Sequence, residues 1–237
     1  MLSIIIPTLN EEKCLPSLLE NIKNQTYRDY EIIVSDADSS DKTIEIAKQY
    51  NCKFFIEKDI NRKHPSFQRN NGVKLAQGDL LLFLDADTDL PNNYFLEKTI
   101  AEFNFKKLSV AGFFLDFKSN KFFYKFYRRV YNGVATLAQW IKPLALGAGI
   151  IIKRELHDKI NGFNEELYIG EDQVYVEQAS KFGKFRLIQS TKIFFSIRRF
   201  EKEGPWKLFF KIVYSTLYVI FCGPIKKKII KYDLKGY

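Results

Sequence analysis

Three aspartates, Asp85, Asp87 and Asp89, stand within five residues in the stretch GDLLLFLDADTDLP, directly behind the uncharged run Leu80 to Leu84. Like charges this close repel, so the cluster persists only where a cation offsets it or water solvates it. On an extended segment side chains alternate, which puts Asp85 and Asp87 on one side, roughly 7 Å apart at a rise of about 3.3 Å per residue. Two hard oxygen donors at that spacing can flank Mg²⁺ or Mn²⁺, or one can hold the metal while the other takes a sugar hydroxyl. Such a metal keeps open positions for phosphate oxygens. Taken alone, the pair is better explained by a solvated turn or helix start ahead of Pro91.

Other polar clusters change that balance. SDADSSDKT supplies Asp36, Asp38 and Asp41, with Ser39 or Ser40 able to cap the next helix. FQRNNG offers Arg69, a rigid donor fork suited to a diphosphate or a neighbouring carboxylate, with Asn70 and Gly72 on the same turn. In LYIGEDQVYV, Glu171 and Asp172 interrupt an apolar stretch right after Gly170, where a helix N-terminus also favours acidic residues. Arg198 and Arg199 are further candidates for a diphosphate. Gly147 and Gly149 in LGAG allow a close approach or tight packing. His64 and His157 have no partner spacing and read as surface or loop residues.

The elements that must position these groups follow from periodicity. Short apolar runs at 3–7, 31–35, 53–56 and 80–84 alternate with helical patterns at about 11–24, 41–50 and 67–76. That is a parallel sheet covered on both faces, one half of a doubly wound α/β fold. Ligands gather at the carboxyl ends of such strands, where PTLNEE, SDADSSDKT and DADTD all fall. Beyond a soft boundary near 117 the pattern loosens, with strands expected at 110–117 and 146–152 and helices at 120–141 and 170–181. The helix at 120–141 carries two sets at i, i+4 spacing, Phe122, Phe126 and Val130, and Phe123, Tyr127 and Tyr131. It reads as a helix packed on the core, with lipid as the other surface that could cover it.

The chain of 237 residues has a net charge of +9, placed unevenly. Residues 181–237 hold 14 Lys/Arg against 3 Asp/Glu, whereas residues 1–180 hold 23 against 25. Three scattered cysteines without ligand spacing argue against a disulfide framework or a zinc site and fit a reducing compartment. MLSIIIPTLNEE reads as a strand and is too short for a leader or a membrane span. From Ile212 to Ile225 no charge occurs, short of the roughly 20 residues needed to cross a bilayer. With Lys207, Lys211 and Lys226 to Lys228 flanking it, this segment suits a helix lying in a membrane interface, or one docked on the core. Nucleic acid is disfavoured because the basic residues do not form an exposed stripe.

In their order these motifs resemble family 2 glycosyltransferases of the GT-A fold, over roughly residues 2–200. IIIPTLNEE resembles the opening strand and nucleotide loop, and IIVSDADSSDKT the VVDDGSTDGT segment. QRNNGVKLAQGDLLLFLDADT resembles the run bearing the DxD metal motif, and GFNEELYIGEDQVYV the run bearing the catalytic carboxylate. The resemblance implies a mixed α/β sheet flanked by helices, and the C-terminal residues add an amphipathic helical tail. Residues 1–117 would bind the nucleotide sugar, 118–200 would form the acceptor-binding and catalytic half of the same domain, and 201–237 the tail. Pro7, Asn10, Glu11 and Asp36 would line the nucleotide pocket, and Arg69 would sit near the diphosphate. Asp85 and Asp87 would serve ribose and a Mn²⁺ or Mg²⁺ ion, with Asp87 the direct ligand. Asp172, or else Glu171, would be the general base.

Ala37 and Asp38 depart from the family, standing where many members have Asp and Gly, and leave the nucleobase open. The implied activity is inverting, non-processive, metal-assisted transfer from a UDP- or GDP-sugar to an acceptor hydroxyl, expected to be lipid-linked. The scattered cysteines and the basic, apolar tail point to a cytoplasmic location, peripheral at the inner face of the plasma membrane. Two other readings compete, a sugar-phosphate nucleotidyltransferase and a non-catalytic, membrane-peripheral nucleotide-binding protein. The first usually has an early glycine-rich phosphate loop, and PTLNEEKC contains no glycine.

Overall fold

The structure is a computed structural model and describes residues 1–167 and 169–222. Seven strands form one sheet in the order β3-β2-β1-β4-β6-β5-β7. β1 (Leu2–Thr8), β2 (Tyr30–Asp36), β3 (Lys53–Ile56) and β4 (Leu80–Phe83) are mutually parallel, with Ile4 paired to both Ile32 and Leu82. β6 (Ile150–Lys153) runs antiparallel to its neighbours β4 and β5 (Val110–Asp116), and β7 (Phe185–Phe194) is parallel to β5. The sheet is therefore mixed, as expected, and continuous across residue 117.

Alternating strand side chains feed two cores. Ile4, Ile6 and Leu82 pack on one face with Leu15, Leu18 and Ile22 of α1 (Leu15–Lys23), with α2 (Thr43–Gln49) and with Phe95 and Phe103 of α4 (Phe95–Phe105). Ile5, Ile33 and Phe83 face the other way, toward α3 (Pro65–Leu75), α5 (Phe122–Ala138), α6 (Arg154–Lys159) and α7 (Glu171–Ser180). Each face being covered, the strands read as continuous apolar runs. At Gly72 a side-chain carbon would lie 2.5 Å from Ile5 Cγ2, so the glycine lets α3 close on β1. A third, aromatic cluster of Phe117, Phe123, Tyr124, Tyr127 and Phe200 ties the end of β5 to α5, α8 (Arg198–Glu203) and α9 (Pro205–Cys222).

Several boundaries differ from expectation. α1 starts at Leu15, with Pro16 in its first turn, leaving Glu11 in the preceding loop. The strand expected over 146–152 is only Ile150–Lys153, because Gly147 and Gly149 belong to the loop before it. α4, α6 and β7 had no counterpart in the sequence reading. His157 is not a surface residue: it is buried in α6, with Nδ1 2.7 Å from the Tyr175 hydroxyl. Burial lowers its pKa to about 4, so it is neutral. Lys226 to Lys228, expected to flank the apolar tail, lie outside the described residues.

Candidate active site

The loops after β1 and β2 are knitted together at the carboxyl end of the sheet. Backbone N–H groups of Asn10, Glu11 and Glu12 donate to Ser39 Oγ, Thr43 Oγ1 and Asp41 Oδ2, and Asn10 Oδ1 accepts from Ser40 N–H. Asn10 and Asp38 take left-handed backbone with φ of 55° and 63°, a conformation that favours glycine. Asp36 is buried and accepts from Thr8 Oγ1, Ser39 Oγ and Ser39 N–H, so it organises the loop from beneath. Pro7 pairs with Ser35 at the same strand ends.

Each of the three crowded aspartates has its own cation, drawn from a different segment. Asp85 Oδ1 accepts from Arg69 Nη2 at 3.0 Å, Asp87 Oδ2 from Arg198 Nη2 at 3.1 Å, and Asp89 pairs with Lys118. Arg198 Nη2 also lies 3.0 Å from Glu11 Oε2, so one guanidinium nitrogen sits between the two carboxylates. Burial raises the Glu11 pKa to about 7 although Arg198 opposes the shift. Arg199, expected beside Arg198, is turned onto Glu203 at 2.8 Å, because successive helical residues point in different directions. A cleft of about 140 Å³ opens beside Asp87, lined by Asp89, Lys118 and the end of β7.

Arg69 joins this cluster to a second one. It projects from α3, is 3% exposed, and splits its fork between Asp85 and Glu171, 3.0 Å from each. Its guanidinium lies 5.2 Å from the Phe163 ring centroid. Asn70, the next residue, holds the 163–165 loop by bonds to Phe163 N–H, Phe163 carbonyl and Glu165. Glu171 opens α7 behind the left-handed Gly170. Asp172 instead accepts from Gly147 N–H at 2.8 Å. Burial, reinforced by the adjacent Glu171 and opposed by Arg69, lifts the Asp172 carboxyl to about 7. Glu171 is thus engaged by a cation, whereas Asp172 is a carboxyl poised to gain or lose a proton near neutrality.

The donor set also fits a divalent ion. Asp87 and Glu11 are hard oxygen donors already gathered around a positive nitrogen, with Asp85 two residues from Asp87. Among the described residues no three His, Cys, Asp or Glu are gathered so as to hold a metal ion, so the side chains here would supply only one or two of its oxygens. A metal held here would keep positions for ligand oxygens, as Mg²⁺ and Mn²⁺ do in phosphate sites. Sequence reasoning missed Lys118 and Phe163 as parts of the site, whereas LGAG had pointed to a close approach at Gly147.

The comparisons bear on family and fold. A model of the family "Glycosyl transferase family 2" matches residues 3–164. A poly(ribitol-phosphate) beta-glucosyltransferase of Bacillus spizizenii is 35% identical over 112 residues, 45% of this chain and 17% of that protein. A GalNAc(5)-diNAcBac-PP-undecaprenol beta-1,3-glucosyltransferase of Campylobacter jejuni is 36% identical over 94 residues, 38% of this chain and 30% of that protein. The matched stretches thus span under a third of either relative. Among solved structures, S. aureus TarS 1–349 in complex with UDP superposes with a TM-score of 0.65 at 22% identity, covering 85% of this chain and 62% of that one. Glucosyl-3-phosphoglycerate synthase from Mycobacterium tuberculosis, with Mn²⁺, UDP and glucosyl-3-phosphoglycerate, gives 0.62 at 17% identity over 96% of this chain and 81% of that one. The structural likenesses establish a GT-A type fold. Since the family model spans more than half of the chain, the protein belongs to glycosyl transferase family 2.

Proposed function

We propose that this glycosyltransferase moves a sugar from a nucleoside diphosphate sugar, most simply a UDP-sugar, to an acceptor hydroxyl by an inverting single displacement. The observation that carries the mechanism is the division of labour at the start of α7. Glu171 is bound by Arg69, while Asp172 rests on Gly147 N–H with its carboxyl raised to about 7. A base with a pKa near the working pH best combines availability with proton-accepting strength. Asp172 takes the acceptor proton as the oxygen attacks the anomeric carbon. Arg69, and Arg198 once released from its carboxylates, face the charge that develops on the departing diphosphate.

Asp87, with Asp85 and Glu11 beside it, would hold Mn²⁺ or Mg²⁺, which when bound supplies positive charge to the leaving group. The interlocked loops bearing Pro7, Asn10 and Asp36 would receive the nucleoside. UDP is favoured by neighbours crystallised with UDP, UDP-GlcNAc or UDP-glucose, although a GDP-mannose complex also occurs among them. Residues 1–117 act in this reading as the donor half, 118–200 as the acceptor half, and 201–237 as a tail. A lipid-linked acceptor is supported by the undecaprenol-bearing name of one relative, and the reading puts transfer at the cytoplasmic face of a membrane. No helix among the described residues is long and apolar enough to cross a membrane. Peripheral membrane contact and single, non-processive transfers complete the reading.

The test is a thermal-shift panel of nucleoside diphosphates and their sugars with and without Mn²⁺, followed by turnover of the best donor. Asp172→Asn should abolish transfer and keep nucleotide binding. A chain stabilised by no nucleotide under any condition would refute the proposal.

A further inference from the structure

α5 is divided into three sectors. Phe123, Tyr124, Tyr127 and Ala135 are buried in the fold. Phe122, Phe126, Val130, Val134, Leu137 and Ile141 step by four, four, four, three and four residues, the spacing of one helix face, and all are exposed. Phe122, Leu137 and Ile141 are 77%, 74% and 90% exposed, so this is no half-packed core stripe. Lys125 and Arg129, also exposed, form a basic edge to the apolar sector. A helix with an inward face needs no second apolar face for folding.

α9 continues the same surface. Trp206, Phe210 and Tyr214 are exposed along one side of it. The two stripes meet where the Phe126 and Trp206 rings lie 6.1 Å apart, with Phe122 stacked on Phe126 and Phe210 6.5 Å from Trp206. At the far end of α5, Trp140 is exposed and carries the Arg186 guanidinium 3.6 Å from its ring centroid. Lys118, Arg128, Lys142, Lys153 and Lys211 are paired with Asp89, Asp116, Glu177, Glu155 and Glu203. The exposed Lys121, Lys125, Arg129 and Lys207 give the border its positive charge. Residues 117–154 contain eight Lys/Arg and no Asp or Glu, and residues 204–222 contain two Lys and no acid.

We propose that the exposed faces of α5 and α9 together form a docking surface for an anionic lipid bilayer, with both helices lying in the headgroup region. Contiguous exposed aromatic surface marks an interaction site, and its basic border selects a negatively charged partner. A second copy of this chain would bring the same positive border against itself. Trp and Tyr favour the membrane interface, where an apolar ring and a polar edge are both accommodated. Six residues after Ile141 comes Gly147, whose N–H holds Asp172, so the docked helix leads directly into the loop beside the proposed base. This deepens the lipid-linked-acceptor reading and rests on it only for the purpose of docking; the surface itself stands on α5 and α9.

Trp140 and Trp206 are the only tryptophans, and both belong to this surface, so intrinsic fluorescence reports on it alone. The full chain is titrated with vesicles of phosphatidylcholine mixed with phosphatidylglycerol, with and without brominated lipid, using Trp140→Phe and Trp206→Phe variants to isolate each ring. Both tryptophans should shift to the blue and be quenched, and pure phosphatidylcholine should weaken partition tenfold or more. Phe122→Ser with Leu137→Ser should also weaken it at least tenfold at an unchanged melting temperature. Quenching of Trp206 alone would mean that the tail binds without α5 and would overturn the proposal. So would the absence of partition, including the case where sedimentation shows a dimer that shields both rings. UDP binding measured without vesicles is independent of every one of these outcomes, so failure of docking and failure of the glycosyltransferase reading are told apart.

Discussion

Gly147→Ala should disable the enzyme through Arg69. A Cβ at residue 147 would lie 2.2 Å from Arg69 Nη2, 2.8 Å from Cζ and 3.2 Å from Nη1. An unstrained contact is about 3.5 Å, so the guanidinium would have to retreat by roughly 1.3 Å. It has nowhere to go cheaply, being 3% exposed, tied at 3.0 Å to both Asp85 and Glu171, and facing Phe163. If the loop retreats instead, the 2.8 Å bond from Gly147 N–H to Asp172 is broken. Loss of one charge-assisted hydrogen bond costs about 1.5–3 kcal/mol in stability. Misplacement of a positioned group by about 1 Å costs on the order of 100-fold in rate. The assay is UDP release from the best donor alongside a thermal melt. Gly133→Ala is the control, since nothing lies within 4 Å of the added carbon on exposed α5, and it should keep or raise the melting temperature. Turnover within threefold of the parent together with an unchanged melt for Gly147→Ala would refute the tight packing of Arg69 against this loop.

Turnover should rise with pH through about 7 as Asp172 loses its proton, and Asp172→Asn should remove both this limb and about 10²–10⁴-fold of the rate. The same raised carboxyl predicts a stability effect of definite sign. The folded chain retains a proton there that the unfolded chain releases near 3.8, so this group's contribution falls as pH rises from about 4 to about 7. Asp172→Asn should therefore stabilise the fold by about 1 kcal/mol at alkaline pH and by little at acidic pH, read from melts at both. Asp87→Asn should weaken Mn²⁺ binding in the presence of UDP at least tenfold by electron paramagnetic resonance, and unchanged affinity would remove Asp87 from the metal site. Gly72→Ala, with its Cβ 2.5 Å from Ile5 Cγ2, should destabilise by about 1–3 kcal/mol in denaturant melts.

The parallel half of the sheet was legible because both of its faces are covered, which leaves runs such as LSIIIPT without alternation. β7 was not, since Gln189 and Ser190 break its apolar pattern opposite a register shift between Phe113 and Phe114 of β5. Only the tertiary pairing carries the strand through that irregularity. In α5 both i, i+4 sets were visible, but which one faces inward depends on Phe200, distant in sequence, which packs against Phe123 and Tyr127 together with the nearby Phe117.

The carboxylates of the site were readable because acid clusters at strand ends are conspicuous, and Arg69 and Arg198 stood out as cations, but which carboxylate each one meets was not legible. Arg198 reaches Asp87 from 111 residues away, and no spacing rule links them. That pairing changes what the crowded aspartates mean. Their repulsion is already offset by Arg69, Arg198 and Lys118, so the cluster does not by itself require a metal. A divalent ion at Asp87 would have to compete with a guanidinium held by two carboxylates, and a ligand diphosphate would supply both extra oxygen donors for the ion and a new anion for the displaced Arg198. Metal and nucleotide should accordingly bind with positive cooperativity, and the measure of it is the Mn²⁺ affinity with UDP against that without. Equal affinities would show that Arg198 and the ion do not contend for the same carboxylates.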